Sequence, residues 1–127
     1  MHFSSAVELK VAAFRCRSSL RKIHPVLRSI MGLPLSSAMG ALYLHARKAA
    51  RIVHIVLHRA MPKLAQAGIS PASAVVACSS VGSAGILRRV SPRAKGRACI
   101  IRRRMCHITI TLRSIQWDKR CTRGCSG

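Results

Sequence analysis

The side chains in this sequence with the most evident chemistry are cations. Arg88, Arg89, Arg93, Lys95, Arg97, Arg102, Arg103 and Arg104 crowd into the stretch 88–104. A guanidinium holds its charge when partly desolvated, and its planar fork grips phosphate through two parallel hydrogen bonds. Such a cluster binds polyanions by displacing their counterions, without reading base sequence. No aromatic residue interleaves the cluster, so base stacking gains no support from this stretch. The expected partner is a polyanion such as RNA or DNA, bound electrostatically.

Other chemistries lack their parts. Glu8 and Asp118 are the entire stock of acids, which removes paired-carboxylate acid–base catalysis. A Ser-His-Asp triad would depend on Asp118, and there is no G-x-S-x-G elbow. A glycine-rich phosphate loop ending in Gly-Lys is also missing. No enzyme is expected, and neither a cofactor nor a small-molecule substrate is implied. Cys99, Cys106, His107, Cys121 and Cys125 are of zinc-ligand type. Their spacings, C-x6-C-H followed by C-x3-C, depart from finger patterns in the first pair and in order. No metal site is assigned. His54 and His58 stand one helical turn apart without the glutamate of a metalloprotease, and read as surface histidines.

Seventeen arginines and six lysines against two acids give a formal charge of +21 over 127 residues. Internal pairing cannot neutralise that excess, so the counter-charge must come from nucleic acid, an anionic membrane surface or an acidic protein. Half the residues are hydrophobic, yet Phe3, Phe14, Tyr43 and Trp117 are the only aromatics. A core made of small side chains must also resist repulsion that persists over a Debye length of about 8 Å. Folding is expected to be marginal or conditional on a partner. The same usage, with no asparagine at all, equally suits a reading frame never selected to encode a soluble protein.

Six cysteines would suit a disulfide framework. Glu8, Lys10, Arg15 and Arg17 interrupt the first apolar residues before a secretory signal can form. Reduced thiols and an intracellular location are therefore expected, with nuclear, nucleolar or ribosome-bound sites all compatible. The N-terminus is basic and Ser-containing, like an organelle-targeting peptide, but every other segment shares that bias.

The elements that must carry these residues read as mainly helical. Ser5 and Glu8 have capping-box spacing, which opens a helix over 5–23 with Val7, Val11 and Phe14 on one face. Arg15, Arg17, Arg21 and Lys22 fall in its last turns, where cations suit the dipole, and Pro25 stops it. Ser36 and Ser37 open a second helix over 37–61, with Leu42, Ala46, Ala49, Val53, Val56 and Ala60 as its apolar stripe. Residues 64–87 contain no charge and offer either a third helix over 71–86 or a marginal transmembrane span at 64–87. Membrane association is accordingly the alternative function, with the basic flank kept cytoplasmic.

Residues 88–127 read as a basic, largely disordered tail with one short strand at 107–112, where Ile108, Ile110 and Leu112 alternate with threonines. The sequence therefore predicts a small, irregular, mainly α chain with two or three helices over 1–87 and no guarantee of a stable fold. It identifies no specific function beyond unspecific polyanion binding.

Overall fold

Alternating burial along 106–114 organises the molecule: Cys106, Ile108, Ile110, Leu112 and Ser114 are buried while the residues between them are not. That two-residue period is the signature of a strand with one covered face. The computed structural model describes residues 8–114. Within them run β1 (Glu8–Cys16), α1 (Leu20–Ile30), α2 (Leu35–Leu44), α3 (Lys48–His58), α4 (Ala60–Gln66), β2 (Ala74–Pro92) and β3 (Ala98–Ser114). Short 3-10 turns occupy 71–73 and 94–96. The sheet is antiparallel in the order β1-β3-β2, with β3 central.

The helices close over one face of the sheet. In α1, Ile23, Val26, Leu27 and Ile30 stand at helical spacing and are all buried. With Leu42 of α2, Val53 and Leu57 of α3 and Leu64 of α4, they join Val11, Val76, Ile108, Ile110 and Leu112 in one apolar cluster. The core is aliphatic and real, despite the scarcity of rings. The expectations of a mainly helical chain, and of one without a stable fold, are corrected.

The corrections have local causes. The helix expected over 5–23 is strand β1 from Glu8 onward, while Ser5 lies outside the described residues. Val11 and Ala13 alternate inward against β3, a period that the spacing of Val7, Val11 and Phe14 disguised. Pro25 does not stop a helix but sits inside α1 on its exposed side, where the burial of four neighbours offsets one missing N–H bond. The helix expected over 37–61 is cut at 45–47, leaving Leu42, Ala49, Val53, Val56 and Ala60 buried and Ala46 exposed at the break.

The charge-free run at 64–87 does not form the helix expected of it, either as a third helix over 71–86 or as a transmembrane one. Gly68, at φ +68°, ends α4 with the Ile69 amide donating to the Leu64 carbonyl and the Gly68 amide to Ala65, a Schellman closure. From Ala74 the chain is strand, in which partly buried Ser79, Val81 and Ala84 are separated by exposed Ser80, Gly82 and Ser83. No helix among the described residues is long and apolar enough to cross a membrane. The disordered basic tail is likewise corrected, because 98–114 forms the central strand, and β2 passes through position 87 without a break.

Candidate nucleic-acid interface

Strands β2 and β3 are far longer than β1 and outrun it. Pairing with β1 ends at Cys16 opposite Cys106, whereas β2 accompanies β3 as far as Pro92 opposite Ala98. Residues beyond Cys106 therefore form a two-stranded arm, roughly 25 Å long at about 3.3 Å per residue. A bulge between Ser83 and Ile86 marks its root, where Gly85 takes φ +98°, a conformation that L side chains rarely adopt. At the tip the Arg93 amide donates to the Arg97 carbonyl at 2.8 Å around Lys95 and Gly96, both at positive φ.

All eight cations singled out in the sequence stand on this arm. Arg88, Arg89, Arg102, Arg103 and Arg104 lie on the stem, while Arg93, Lys95 and Arg97 form the turn. Directly paired residues share a face. Register puts Arg88 opposite Arg102, so like charges meet across the ladder. Arg88, Arg102 and Arg104 share one face with Ile86, Val90 and Ile100, and Arg89 and Arg103 share the other with Leu87 and Ile101. Val90 and Ile100 remain largely exposed. Apart from half-buried Leu87 at the root, the cations and large apolar side chains of the arm over 86–104 are exposed.

A second set of cations was missed in the sequence. At the root of the arm, Arg17, Lys48, Leu87, Arg89, Arg103, Arg104 and Met105 line a groove of about 660 Å³. It shares Arg17 and Lys48 with a neighbouring hollow of about 530 Å³, to which Arg21, Lys22 and Arg47 also contribute. Sequence reasoning put Arg17, Arg21 and Lys22 at the end of a helix, where their charge would be welcome. They instead precede or open α1, and Arg47 and Lys48 open α3. Those are the positive ends of both helices. Neither start carries an acid in its first turn or a side-chain cap bond. The available signal was an inversion of the usual charge order: cations where N-terminal turns favour carboxylates.

The remaining sequence candidates do not assemble into a site. Cys99 is exposed on the arm and Cys106 is buried at its root, while Cys121 and Cys125 lie outside the described residues. Cys106 instead pairs in register with Cys16. Burial pushes both thiols above the ordinary cysteine range, with Cys16 adding to the effect at Cys106. His54 and His58 stay on α3, half-buried and exposed respectively. Glu8, the acid among the described residues, is committed to Arg113 across the β1–β3 pair at 2.6 Å, which holds its carboxyl below the usual range.

A helix-backed antiparallel sheet that extends an acid-free basic arm defines a small, strongly cationic α/β domain. Residues 11–113 match the family described as ribosomal protein L22p/L17e, and the chain belongs to that family. It is 36% identical over 111 residues to large ribosomal subunit protein uL22 of Pseudothermotoga lettingae, covering 87% of this chain and 80% of that protein. The corresponding protein of Fervidobacterium nodosum is 39% identical over 107 residues, covering 84% of this chain and 73% of its own length. That of a Hydrogenobaculum species is 35% identical over 113 residues, covering 89% and 93%. These likenesses overturn the reading of an unselected frame without a specific function, and with it the membrane alternative.

Proposed function

We propose that this chain is a non-catalytic structural component of a large ribosomal subunit, bound to ribosomal RNA through its arm and the basic groove at the arm's root. The single observation that carries this reading is the opposition of Arg88 and Arg102 in a hairpin with no acid. Two strands alone are marginally stable in water, and like charges directly opposite weaken them further. RNA phosphates threaded along the arm reverse the sign of that interaction. The names of the related proteins, each a large-subunit component, point to the same partner. A ribosome-bound location follows from the reading.

The arm supplies grip, not sequence discrimination. Its arginines reach in both directions from a narrow ribbon, which suits insertion among RNA segments more than docking on a flat surface. The groove adds the positive ends of α1 and α3, whose free N–H groups match phosphate oxygens. The test is a titration of the chain with large-subunit ribosomal RNA at several salt concentrations. Log affinity should fall linearly with log salt, by about 0.7–0.9 for each phosphate neutralised. A flat line would sink the reading.

A further inference from the structure

We propose that the sheet face turned away from the helices is a stacking platform for an unpaired RNA base, with Phe14 as the ring on which the base lies. The inference rests on the RNA-binding reading above and adds a site that the arm and groove do not include. Alternation along β1 sends Val11 and Ala13 into the core and Phe14 to the opposite face, where the residue is 73% exposed. The rings of Phe14 and His107 meet in a T-shaped contact, with centroids 5.3 Å apart and planes at 69°. A contact of this kind restricts how the ring turns, and the exposure of Phe14 leaves ring surface open to solvent.

His107 is itself fixed. The backbone N–H of Arg15 donates to His107 Nδ1 at 3.2 Å, so the neutral imidazole carries its proton on Nε2. That bond exists because Arg15 takes φ +53° where β1 slips register between Ala13 and Cys16. A non-glycine residue in the left-handed region is a local cost that persists only when the surrounding structure enforces it, and such residues cluster at binding sites. The bulge thus aims Phe14, locks its brace and brings Arg15 alongside.

The floor next to this pair is open and polar. Gly82 faces His107 in the register, and a Cβ there would sit 3.9 Å from the His107 Cβ, so only hydrogen fills the place where a side chain would stand. Ser80 and Thr109 form the next pair on the same face, with hydroxyls that can donate or accept at a base edge. Lys10 and Arg15 supply charge for the phosphate of a stacked nucleotide, and Glu8 is already paired with Arg113. A protein occupant would want a contiguous apolar or aromatic patch. This face offers the ring of Phe14 and the imidazole of His107 among glycine, alanine, hydroxyls and the thiol of Cys78, with Lys10 and Arg15 on the same strand as Phe14. Stacking on an aromatic tolerates any base, because every base has a π-face.

The experiment compares the full chain with Phe14→Ala and Phe14→Trp, using a single-stranded oligouridylate and an RNA duplex of the same length. Phe14→Ala should weaken single-strand binding roughly 5- to 150-fold, the equivalent of about 1–3 kcal/mol for one stacked base, and leave duplex binding within about twofold. The salt slope should not move, since no phosphate contact is lost, and Phe14→Trp should restore affinity. Phe14 is exposed, so the thermal melt of each variant should match the parent. An unchanged single-strand affinity in Phe14→Ala, the outcome a protein occupant would give, overturns the proposal, as does an equal loss on duplex. Failure of the parent chain to bind either RNA would instead bring down the RNA-binding reading itself.

Discussion

Strand β3 is buried on one face from Cys106 to Ser114 and exposed at every position from Ala98 to Arg104, although β2 accompanies it over both stretches. Near the helices the ladder has β1 on its other side and an aliphatic core beneath it. In the arm it has neither, and arginine faces arginine. The same hydrogen-bonded pairing is therefore supported by burial at one end and, on the proposed function, by an external anion at the other. One end of the hairpin builds the fold, and the other end is the one proposed to meet the RNA.

The largest expected effect separates the two ends directly. Ile110, wholly buried in β3, should cost about 2–5 kcal/mol when changed to Ala, because the cavity cannot collapse between sheet and helices. Ile100, on the same strand but 53% exposed, should cost no more than about 0.5 kcal/mol. Chemical denaturation of both variants checks the contrast, and equal losses would abolish it. Next in size is the double change Arg88→Gln with Arg102→Gln. It should make the salt slope of RNA binding shallower by about 1.4–1.8 if each arginine neutralises one phosphate. The melting temperature of the free protein should hold or rise, since a like-charge pair is gone. A fall would show that the arm stabilises itself.

Parts of this contrast were legible in the sequence, for physical reasons that particular residues show. The charge excess and the cluster at 88–104 need no structure to be read, because neither depends on the conformation of the chain. Ile108, Ile110 and Leu112 announce a strand because large aliphatics alternate with threonines. The stem of the arm announces nothing, since Ile100 and Ile101 are adjacent and arginines occupy both faces. A ribbon with two wet faces has no inside, and so no period. Residues 74–85 are equally silent because serine, alanine and glycine differ little in hydropathy. β1 was concealed by a true coincidence of spacing, and its partner lies about a hundred positions away in the chain, in register from Glu8 with Arg113. The groove at Arg17 and Lys48 shared that difficulty, being assembled from α3, β2, β3 and the connection after β1.

Smaller effects sharpen the comparison at the root of the arm. Burial raises the Cys16 and Cys106 thiols above the ordinary value of 9.0. A raised folded value stabilises the fold fully below that ordinary value and is lost as pH climbs through the folded one. Thermal melts should therefore be insensitive to these thiols at neutral pH and decline above about pH 9. In alkylation followed by peptide mapping, the exposed Cys78 and Cys99 should react ahead of Cys16 and Cys106. Reaction of Cys106 ahead of Cys99 would mean that the root is open. The smallest effect is that of Glu8→Gln. Glu8 is depressed by its bond to Arg113, so the pair contributes above the ordinary carboxylate value of 4.5 and is lost as pH falls through the lower folded value. The substitution should flatten that acid limb and leave neutral-pH melting almost unmoved, since the pair is solvent-exposed.

Hydrogen exchange, resolved to peptides and measured with and without large-subunit ribosomal RNA, tests the central claim most directly. In the free chain, amides of 106–114 should open only with global unfolding, while those of 86–104 should exchange much faster through local opening of the unsupported ribbon. Adding RNA should slow exchange in 86–104 and leave 106–114 nearly as before. Arm amides as well protected as the core in the free protein, or unprotected when RNA is bound, would contradict the account.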